Sequence, residues 1–204
     1  MDFYDVISKR RTVREWSEKT VGEDALKRII NAGLAAPTNN HLREWEFVIL
    51  HTPEEKAAGL RYVREWAEKQ SGKVGMGNET PKQRMYAYAV PRQFSMLNDA
   101  PYVIIPLFRA GPELYHAASM SAFNSLASIW CAIENIFLAA AAEGMACSMR
   151  IPIGTEGEEA CRALGVPEGY RMPAYIGVGY PAEDAAVLDQ HVYTAEEKTH
   201  MGKW

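Results

Sequence analysis

Arginine side chains crowd a short segment near the N-terminus. The segment reads Arg10-Arg11-Thr12-Val13-Arg14, so three permanently charged guanidinium groups and one hydroxyl lie within five positions. Such groups can converge on a phosphate, because the guanidinium fork matches the spacing of phosphate oxygens. A solvated basic surface patch would have the same composition. These residues therefore predict an anion site, with the surface patch as the alternative.

A second polar segment, Pro37-Thr38-Asn39-Asn40, leads through Arg43 into the strand-like sequence WEFVIL. Ligand contacts concentrate in loops that are held by the ends of strands. Hydroxyl and amide side chains can bond the polar edge of a heterocycle. The same residue types also stabilise turns through their own backbone. We therefore predict a ligand-binding loop, with simple turn formation as the alternative.

Four common enzyme signatures are missing from the sequence. These are the dinucleotide fingerprint GxGxxG, the phosphate loop GxxxxGK[ST], the zinc motif HExxH and the nucleophile motif GxSxG. The three cysteines, Cys131, Cys147 and Cys161, have neither zinc-site nor disulfide spacing. We therefore expect no metal site, no resident dinucleotide and a reducing compartment.

The composition is that of an ordinary globular protein. The chain has 204 residues, 48% of them hydrophobic, and a net charge of -4, which suits a single domain and argues against a nucleic-acid partner. The N-terminus lacks the pattern of a signal peptide. The longest apolar stretch, residues 125–142, contains Glu134 and Asn135, which a bilayer tolerates poorly. We expect a cytoplasmic protein with no membrane partner.

Helical and strand-like patterns alternate irregularly along the chain, which favours an α+β fold over a doubly wound one. Residues 61–98 are predicted to leave the core as a covering segment, called the excursion below. Its aromatic and methionine side chains suit a flat substrate, although ordinary packing explains them as well. We predict helices over 2–9, 22–35, 53–70, 82–97, 119–143 and 156–164, and strands over 45–50, 102–108, 146–151 and 174–179.

The helix at 125–142 is apolar on almost every side. A helix of this kind must be covered all round, and in a chain of this size part of the cover is expected from a second subunit. We therefore predict a homodimer, and a clean monomer in sedimentation would contradict that prediction.

Six segments, taken together and in order, resemble the nitroreductase family of FMN enzymes. Each is a weak signal alone, but they extend over most of the chain. They are Arg10–Arg14 with Trp16, Ala36-Pro37-Thr38 with Trp45 and Phe47, Asp99-Ala100-Pro101, Ala132-Ile133-Glu134-Asn135 with Gly144, Leu164-Gly165-Val166-Pro167, and Gly177-Val178-Gly179-Tyr180-Pro181.

The resemblance implies a mostly antiparallel central sheet flanked by helices, in an intertwined homodimer with FMN at the subunit interface. By position, the implied ligands of the phosphate and ribityl chain are Arg10, Arg11, Thr12 and Arg14. A basic group near the C-terminus would complete the phosphate site, with Lys198, His200 and Lys203 as candidates. Pro37, Thr38, Asn39 and Asn40 would reach the flavin from the other subunit, and Ile153-Gly154 would offer a backbone N–H to flavin N5.

This sequence departs from the family pattern in the loop before the first strand. His41 and Arg43 stand where the family usually has amides, and Glu44 replaces a proline. Arg43 would place positive charge near the N1–O2 edge of the flavin. Alternatively, Arg43 would form an ion pair with Glu44 or Glu46.

The activity implied by the resemblance is hydride transfer from NADH or NADPH, through flavin N5, to a small electron acceptor such as a nitroaromatic or a quinone. No side-chain acid or base is then required. Reductive dehalogenation is an alternative, for which the excursion offers Tyr62, Glu65 and Lys69. A non-catalytic flavin sensor and an anion-binding module without flavin are further alternatives.

Overall fold

The computed structural model describes residues 1–70, 77, 79–189 and 192–204. In these parts of the chain five strands form one sheet, in the order β1-β2-β5-β3 with β4 paired to β2. Every pairing is antiparallel. This confirms the predicted α+β fold with an antiparallel sheet. The strands are β1 Trp45–Leu50, β2 Tyr102–Arg109, β3 Ala146–Arg150, β4 Tyr170–Arg171 and β5 Tyr175–Gly179.

Helices cover both faces of the sheet. Most predicted elements are found within a few residues of their predicted bounds, and the two-residue strand β4 and helix α9 were not predicted. The α-helices of the described residues are α1 Phe3–Lys9, α2 Glu23–Leu34, α3 Pro53–Gly59, α4 Arg61–Gln70, α5 Pro81–Ala89, α6 Ser95–Asn98, α7 Asn124–Ala142, α8 Glu156–Ala163 and α9 Ala195–Lys198.

Three predicted helices were too long. The helix predicted over 53–70 breaks at Leu60. The backbone of Leu60 is non-helical, which ends α3, and its side chain is fully buried. The helix predicted over 82–97 breaks after α5 because Pro91 lacks an N–H and cannot continue a helix. The helix predicted from 119 begins with a 3-10 turn, Met120–Phe123, before α7 starts.

The predicted excursion contains α4, α5 and α6; its residues 71–76 and 78 lie outside the described part of the chain.

Strand β2 is buried on both faces and divides the core in two. Tyr102, Ile104 and Phe108 belong to the cluster under α2 and α7. Val103, Ile105 and Leu107 alternate with them, as the two-residue period of a strand requires. They belong to a second cluster, which includes Val63 and Met96 of the excursion.

Helix α7 is the central helix of the first cluster. By length and composition the stretch Met120–Ala142 would suit a membrane span. However, Ile129, Ile133 and Ile136 are at most 1% exposed, and α7 packs on α2 so closely that a Cβ at Gly33 would lie 2.8 Å from Ile136 Cγ1. The helix is therefore a core helix of this fold.

Gly177→Ala is expected to destabilise the fold by about 1–3 kcal/mol, as overpacking of a core does. A Cβ at Gly177 would lie 2.6 Å from Ser148 Oγ and 2.8 Å from the Met96 carbonyl oxygen, and both of these atoms are fixed by their own hydrogen bond. Denaturant unfolding measures the loss. Gly22→Ala is the control, because no atom lies within 4 Å of that Cβ; an equal loss in both variants would contradict the packing argument.

Candidate functional site

The arginine-rich segment runs beside the edge strand β3. Thr12 forms a parallel bridge with Cys147, and the Val13 N–H donates to the Cys147 carbonyl at 3.1 Å. Val13 is buried at 4% exposure. Because successive side chains of an extended segment point to opposite sides, Arg10, Thr12 and Arg14 share the side that faces away from Val13.

Arg11 lies on the same side as Val13, and its guanidinium is occupied locally. Its Nη1 donates to the Ser8 carbonyl at 2.7 Å and to the Arg10 carbonyl at 2.9 Å. Together with Lys9 and Val13 it borders a cleft of about 360 Å³. Arg11 thus caps the end of α1, while the side chains of Arg10 and Arg14 lie on the opposite side of the segment.

Arg14 carries a charge that is poorly compensated. Its Nε is buried and has no hydrogen-bond partner among the described residues, and burial lowers the pKa of this guanidinium. Its guanidinium carbon lies 5.6 Å from the centre of the Tyr88 ring. A buried donor without an acceptor is costly, and an anionic or carbonyl-bearing ligand would remove that cost.

Arg10 is only loosely held. Its Nε lies 3.7 Å from Glu134 Oε1 on α7, and more than half of the Glu134 side chain is exposed. An exposed ion pair at this distance contributes little to stability. Arg10 is therefore available to a stronger anion.

Residues 38–43 form a strained loop that is anchored to α7. The Asn39 N–H donates to Ser128 Oγ at 3.1 Å, and the Arg43 N–H donates to Thr38 Oγ1 at 3.1 Å. Asn40, His41 and Arg43 have positive φ angles of 51°, 55° and 49°. Positive φ is unusual for side chains larger than Asn, and it concentrates at ligand-binding sites.

The Arg43 side chain is exposed. Glu44, one of its two predicted partners, instead lies 4.0 Å from Arg109 Nε. Within the described residues no ion pair joins Arg43 to Glu44 or Glu46, so the charge of Arg43 is left facing the outside of the loop.

A short loop, residues 151–155, connects β3 to α8 and contains Gly154. Gly154 has a φ of +57°, and an added Cβ would meet no atom within 4 Å. Its N–H takes part in none of the hydrogen bonds formed by the described residues. The loop therefore holds a backbone donor that is unpaired within the described residues, as a contact with a ligand atom would require.

Strand β3 connects the arginine-rich segment to the Gly154 loop. Thr12 pairs with its second residue, Cys147, and Gly154 follows its end. Because that pairing is parallel, Arg14 lies further along β3, in the direction of the Gly154 loop. The 38–43 loop is held elsewhere, at the N-terminal half of α7, where Thr38 and Arg43 border a small cleft with Ser125.

The C-terminal candidates are not brought to the arginines by contacts within the described residues. The His200 ring lies against Trp204 at a tilt of 35°, with ring centres 4.3 Å apart, and Lys198 lies over the Tyr193 ring at 3.8 Å. Lys203 and His200 are exposed, so the described tail lies open rather than packed on its own chain.

Two connections between the excursion and the site were not predicted. Glu15, next to Arg14, accepts hydrogen bonds from Tyr88 and from Arg92 Nε at 2.8 Å, and burial, followed by the Glu15 contact, raises the pKa of Tyr88 to about 12. Arg150, which precedes the Gly154 loop, donates to Gln93 Oε1 of the excursion at 3.1 Å and forms a buried ion pair with Glu156 on the other side of the loop. The only hint in the sequence was a strand ending in Arg followed by a helix starting with Glu.

Comparison with known proteins gives consistent matches over most of the chain. The profile of the nitroreductase family matches residues 7–180. The iodotyrosine deiodinase of Haliscomenobacter hydrossis is 27% identical over 188 residues, which cover 92% of this chain and 83% of that protein.

Solved structures give the same result at lower identity. A BluB-like flavoprotein from Clostridium difficile 630 superposes with a TM-score of 0.73 at 19% identity and full coverage of both chains. An iodotyrosine deiodinase bound to FMN and 3-iodo-L-tyrosine has a TM-score of 0.72 at 18% identity, covering 98% of this chain and 100% of that one. At this identity the likeness shows the shared fold.

Proposed function

Because this chain belongs to the nitroreductase family, we propose that it is an FMN-dependent oxidoreductase that transfers hydride from NADH or NADPH to a small electrophilic acceptor. The observation that carries the proposal is the buried, unpartnered Nε of Arg14, on an extended segment that runs beside β3, the strand that leads to the unpaired amide of Gly154. The bound FMN named for one structural neighbour supports the same cofactor.

The donors of the site fit FMN. A phosphate needs cationic forks, and Arg10 and Arg14 provide two, with the Thr12 hydroxyl between them for the phosphate or the ribityl chain. Arg11 stands behind them and contributes charge. The N–H of Gly154 would donate to flavin N5, with Ile153 beside it. From a second subunit, Pro37, Thr38, Asn39 and Asn40 would contact the ring system, and His200 or Lys203 would complete the phosphate site.

When bound, FMN supplies the hydride acceptor and donor at N5, so the chain contributes no side-chain nucleophile, acid or base. The residues of the chain bind the phosphate, orient the ring and donate one hydrogen bond to N5. The nicotinamide and the acceptor would bind at this site in turn, which predicts ping-pong kinetics. Intersecting initial-velocity lines would contradict this.

Anaerobic addition of NADH or NADPH to the FMN-loaded protein tests the activity. We expect the flavin absorbance to bleach and then to return when a nitroaromatic or a quinone is added. A protein that binds FMN but is not bleached by either nucleotide would instead be the non-catalytic flavin-binding alternative.

A homodimer completes the proposal. On the outside of α7, Ala127, Cys131 and Glu134 are exposed, and on α1 Phe3 and Tyr4 are 63% and 79% exposed. A second copy of the chain would cover these faces and bring its 38–43 loop to the flavin. Sedimentation of a monomer with bound FMN would contradict this arrangement. With FMN, nicotinamide and small acceptors as its partners, the protein is proposed to act in the cytoplasm.

Reductive dehalogenation is a second candidate, favoured by the 27% identity to an iodotyrosine deiodinase. In the structure, however, the Tyr62 hydroxyl donates to Glu159 Oε2 at 3.1 Å and Glu65 pairs with Arg61 at 3.3 Å. Tyr62 is therefore engaged with α8 and Glu65 with its own helix α4, rather than both being arranged around a free amino acid. Reoxidation of the reduced protein by 3-iodotyrosine faster than by a nitroaromatic would favour this candidate.

Arg43→Ala is expected to make the midpoint potential of bound FMN more negative by on the order of 30 mV, which corresponds to about 1.4 kcal/mol for a two-electron couple. The reason is that a positive charge near the N1–O2 edge favours the reduced, more negative cofactor. Spectroscopic redox titration measures the shift. Arg28→Ala is the control, since Arg28 pairs with Glu143 at 2.6 Å on the surface; an unchanged potential in Arg43→Ala would remove this role.

A further inference from the structure

Arg150 is the last residue of β3 and is only 2% exposed. Its Nε donates to Glu156 Oε1 at 2.9 Å and its Nη2 to Glu156 Oε2 at 2.6 Å. Glu156 is the first residue of α8 and is 5% exposed. The pair therefore spans residues 151–155 and fixes both ends of the loop that contains Gly154.

The excursion provides further contacts of Arg150. Nη1 donates to Gln93 Oε1 at 3.1 Å, and the guanidinium carbon lies 4.4 Å from the centre of the Trp66 ring. Trp66 belongs to α4, and Gln93 lies between α5 and α6. A single guanidinium thus contacts the Gly154 loop on one side and the excursion on the other.

The planar guanidinium couples the position of the Gly154 loop to that of the excursion. Its donors are fixed relative to one another, so the bidentate bond to Glu156 and the bond to Gln93 must share one plane. A buried charge that loses one acceptor is strongly penalised. A displacement of Gln93 or Trp66 is therefore followed by the guanidinium, and through Glu156 by the first residue of α8.

We propose that Arg150 is a positioning residue that sets the place of the Gly154 amide according to how the excursion packs, with Gln93 and Trp66 as its contacts on the excursion. The effect on chemistry rests on the proposed function, because it assumes that this amide meets the cofactor. The link between the excursion and the loop is independent of any cofactor and is tested without one.

The variant Gln93→Leu removes the acceptor on the excursion and leaves the Arg150–Glu156 pair intact. Gln93→Glu keeps an acceptor. Tyr175→Phe is the control, since Tyr175 lies opposite Arg150 in the sheet and its buried hydroxyl has no partner among the described residues. Amide hydrogen exchange of the FMN-free protein reports on the loop through two amides that donate to its carbonyls, Glu156 to Ile153 at 3.1 Å and Glu159 to Thr155 at 3.0 Å.

In Gln93→Leu we expect the amides of Glu156 and Glu159, which donate to carbonyls of the loop, to exchange about tenfold faster, the effect of losing one hydrogen bond to a charged group. Gln93→Glu and Tyr175→Phe are expected to match the wild type, and Trp66→Leu to give a smaller increase. Faster exchange in residues 61–70 with unchanged exchange at Glu156 and Glu159 would overturn the proposal, because Arg150 would then only pack.

In the FMN-loaded protein, Gln93→Leu is expected to slow reduction by the nicotinamide about 3- to 10-fold, because a small displacement of reacting groups lowers the rate. The FMN dissociation constant is expected to stay within about twofold of wild type. Equal reduction rates in wild type and Gln93→Leu would contradict the effect on chemistry. A wild type that takes up no FMN would refute the proposed function and leave the exchange result standing on its own.

Discussion

Arg14→Met is expected to weaken FMN binding by about tenfold to a hundredfold, the range for losing hydrogen bonds to a charged group. The Arg14 Nε is buried without a partner, so a ligand acceptor would be its first. Without FMN the same substitution is expected to leave the stability unchanged or raised, because it removes an uncompensated buried donor. Affinity and stability should thus respond in opposite directions.

Fluorescence titration of FMN and denaturant unfolding of the FMN-free protein measure the two quantities. Lys27→Met is the matched control: it also removes one positive charge, but Lys27 is 66% exposed on α2 and pairs only with acids of its own helix. An equal fall in affinity in both variants would assign the effect to net charge. A loss of stability with unchanged affinity would make Arg14 structural.

Gly154→Ala is expected to slow reduction of the bound cofactor by about one to two orders of magnitude, as loss of a backbone donor aimed at a reacting centre does. A methyl group at this position would occupy the open space above the loop, and φ of +57° is unfavourable for alanine. Both effects displace the N–H that is proposed to meet flavin N5. Stopped-flow reduction under anaerobic conditions measures the rate.

Gly165→Ala separates strain from function. Gly165 also has a positive φ, +67°, and also has no atom within 4 Å of an added Cβ, but it follows α8, away from the loop. Both variants are expected to lose a similar stability, about 1–2 kcal/mol, while only Gly154→Ala loses reduction rate. A rate loss in Gly165→Ala of the same size would show that strain alone is responsible.

The elements with a clear hydrophobic period were predictable from the sequence. Strand β1 was predicted over its observed bounds, and α2 differed by one residue at each end, because one face of each is consistently apolar. The error at Pro91 was avoidable, since a proline inside a helical pattern marks a break. The break at Leu60 was not avoidable, because it depends on burial of that side chain in the tertiary structure.

The site was predictable as a set of segments but not as a geometry. The types and spacing of Arg10, Thr12 and Arg14 indicated anion binding, yet the sequence could not show that Arg11 turns back to α1, because this follows from the pairing of Thr12 with β3. Only a hint of the Arg150–Glu156 pair was present in the sequence, for a similar reason. Its importance comes from burial and from Gln93, which is 57 residues away in the chain.

The visible absorption spectrum of the purified protein, with chromatographic identification of the cofactor released on denaturation, tests the central claim most directly. The account predicts a yellow protein with one FMN per chain, retained by the wild type and largely lost from Arg14→Met. A colourless protein that also takes up no added FMN would contradict it, and Arg10–Arg14 would then be a basic surface patch.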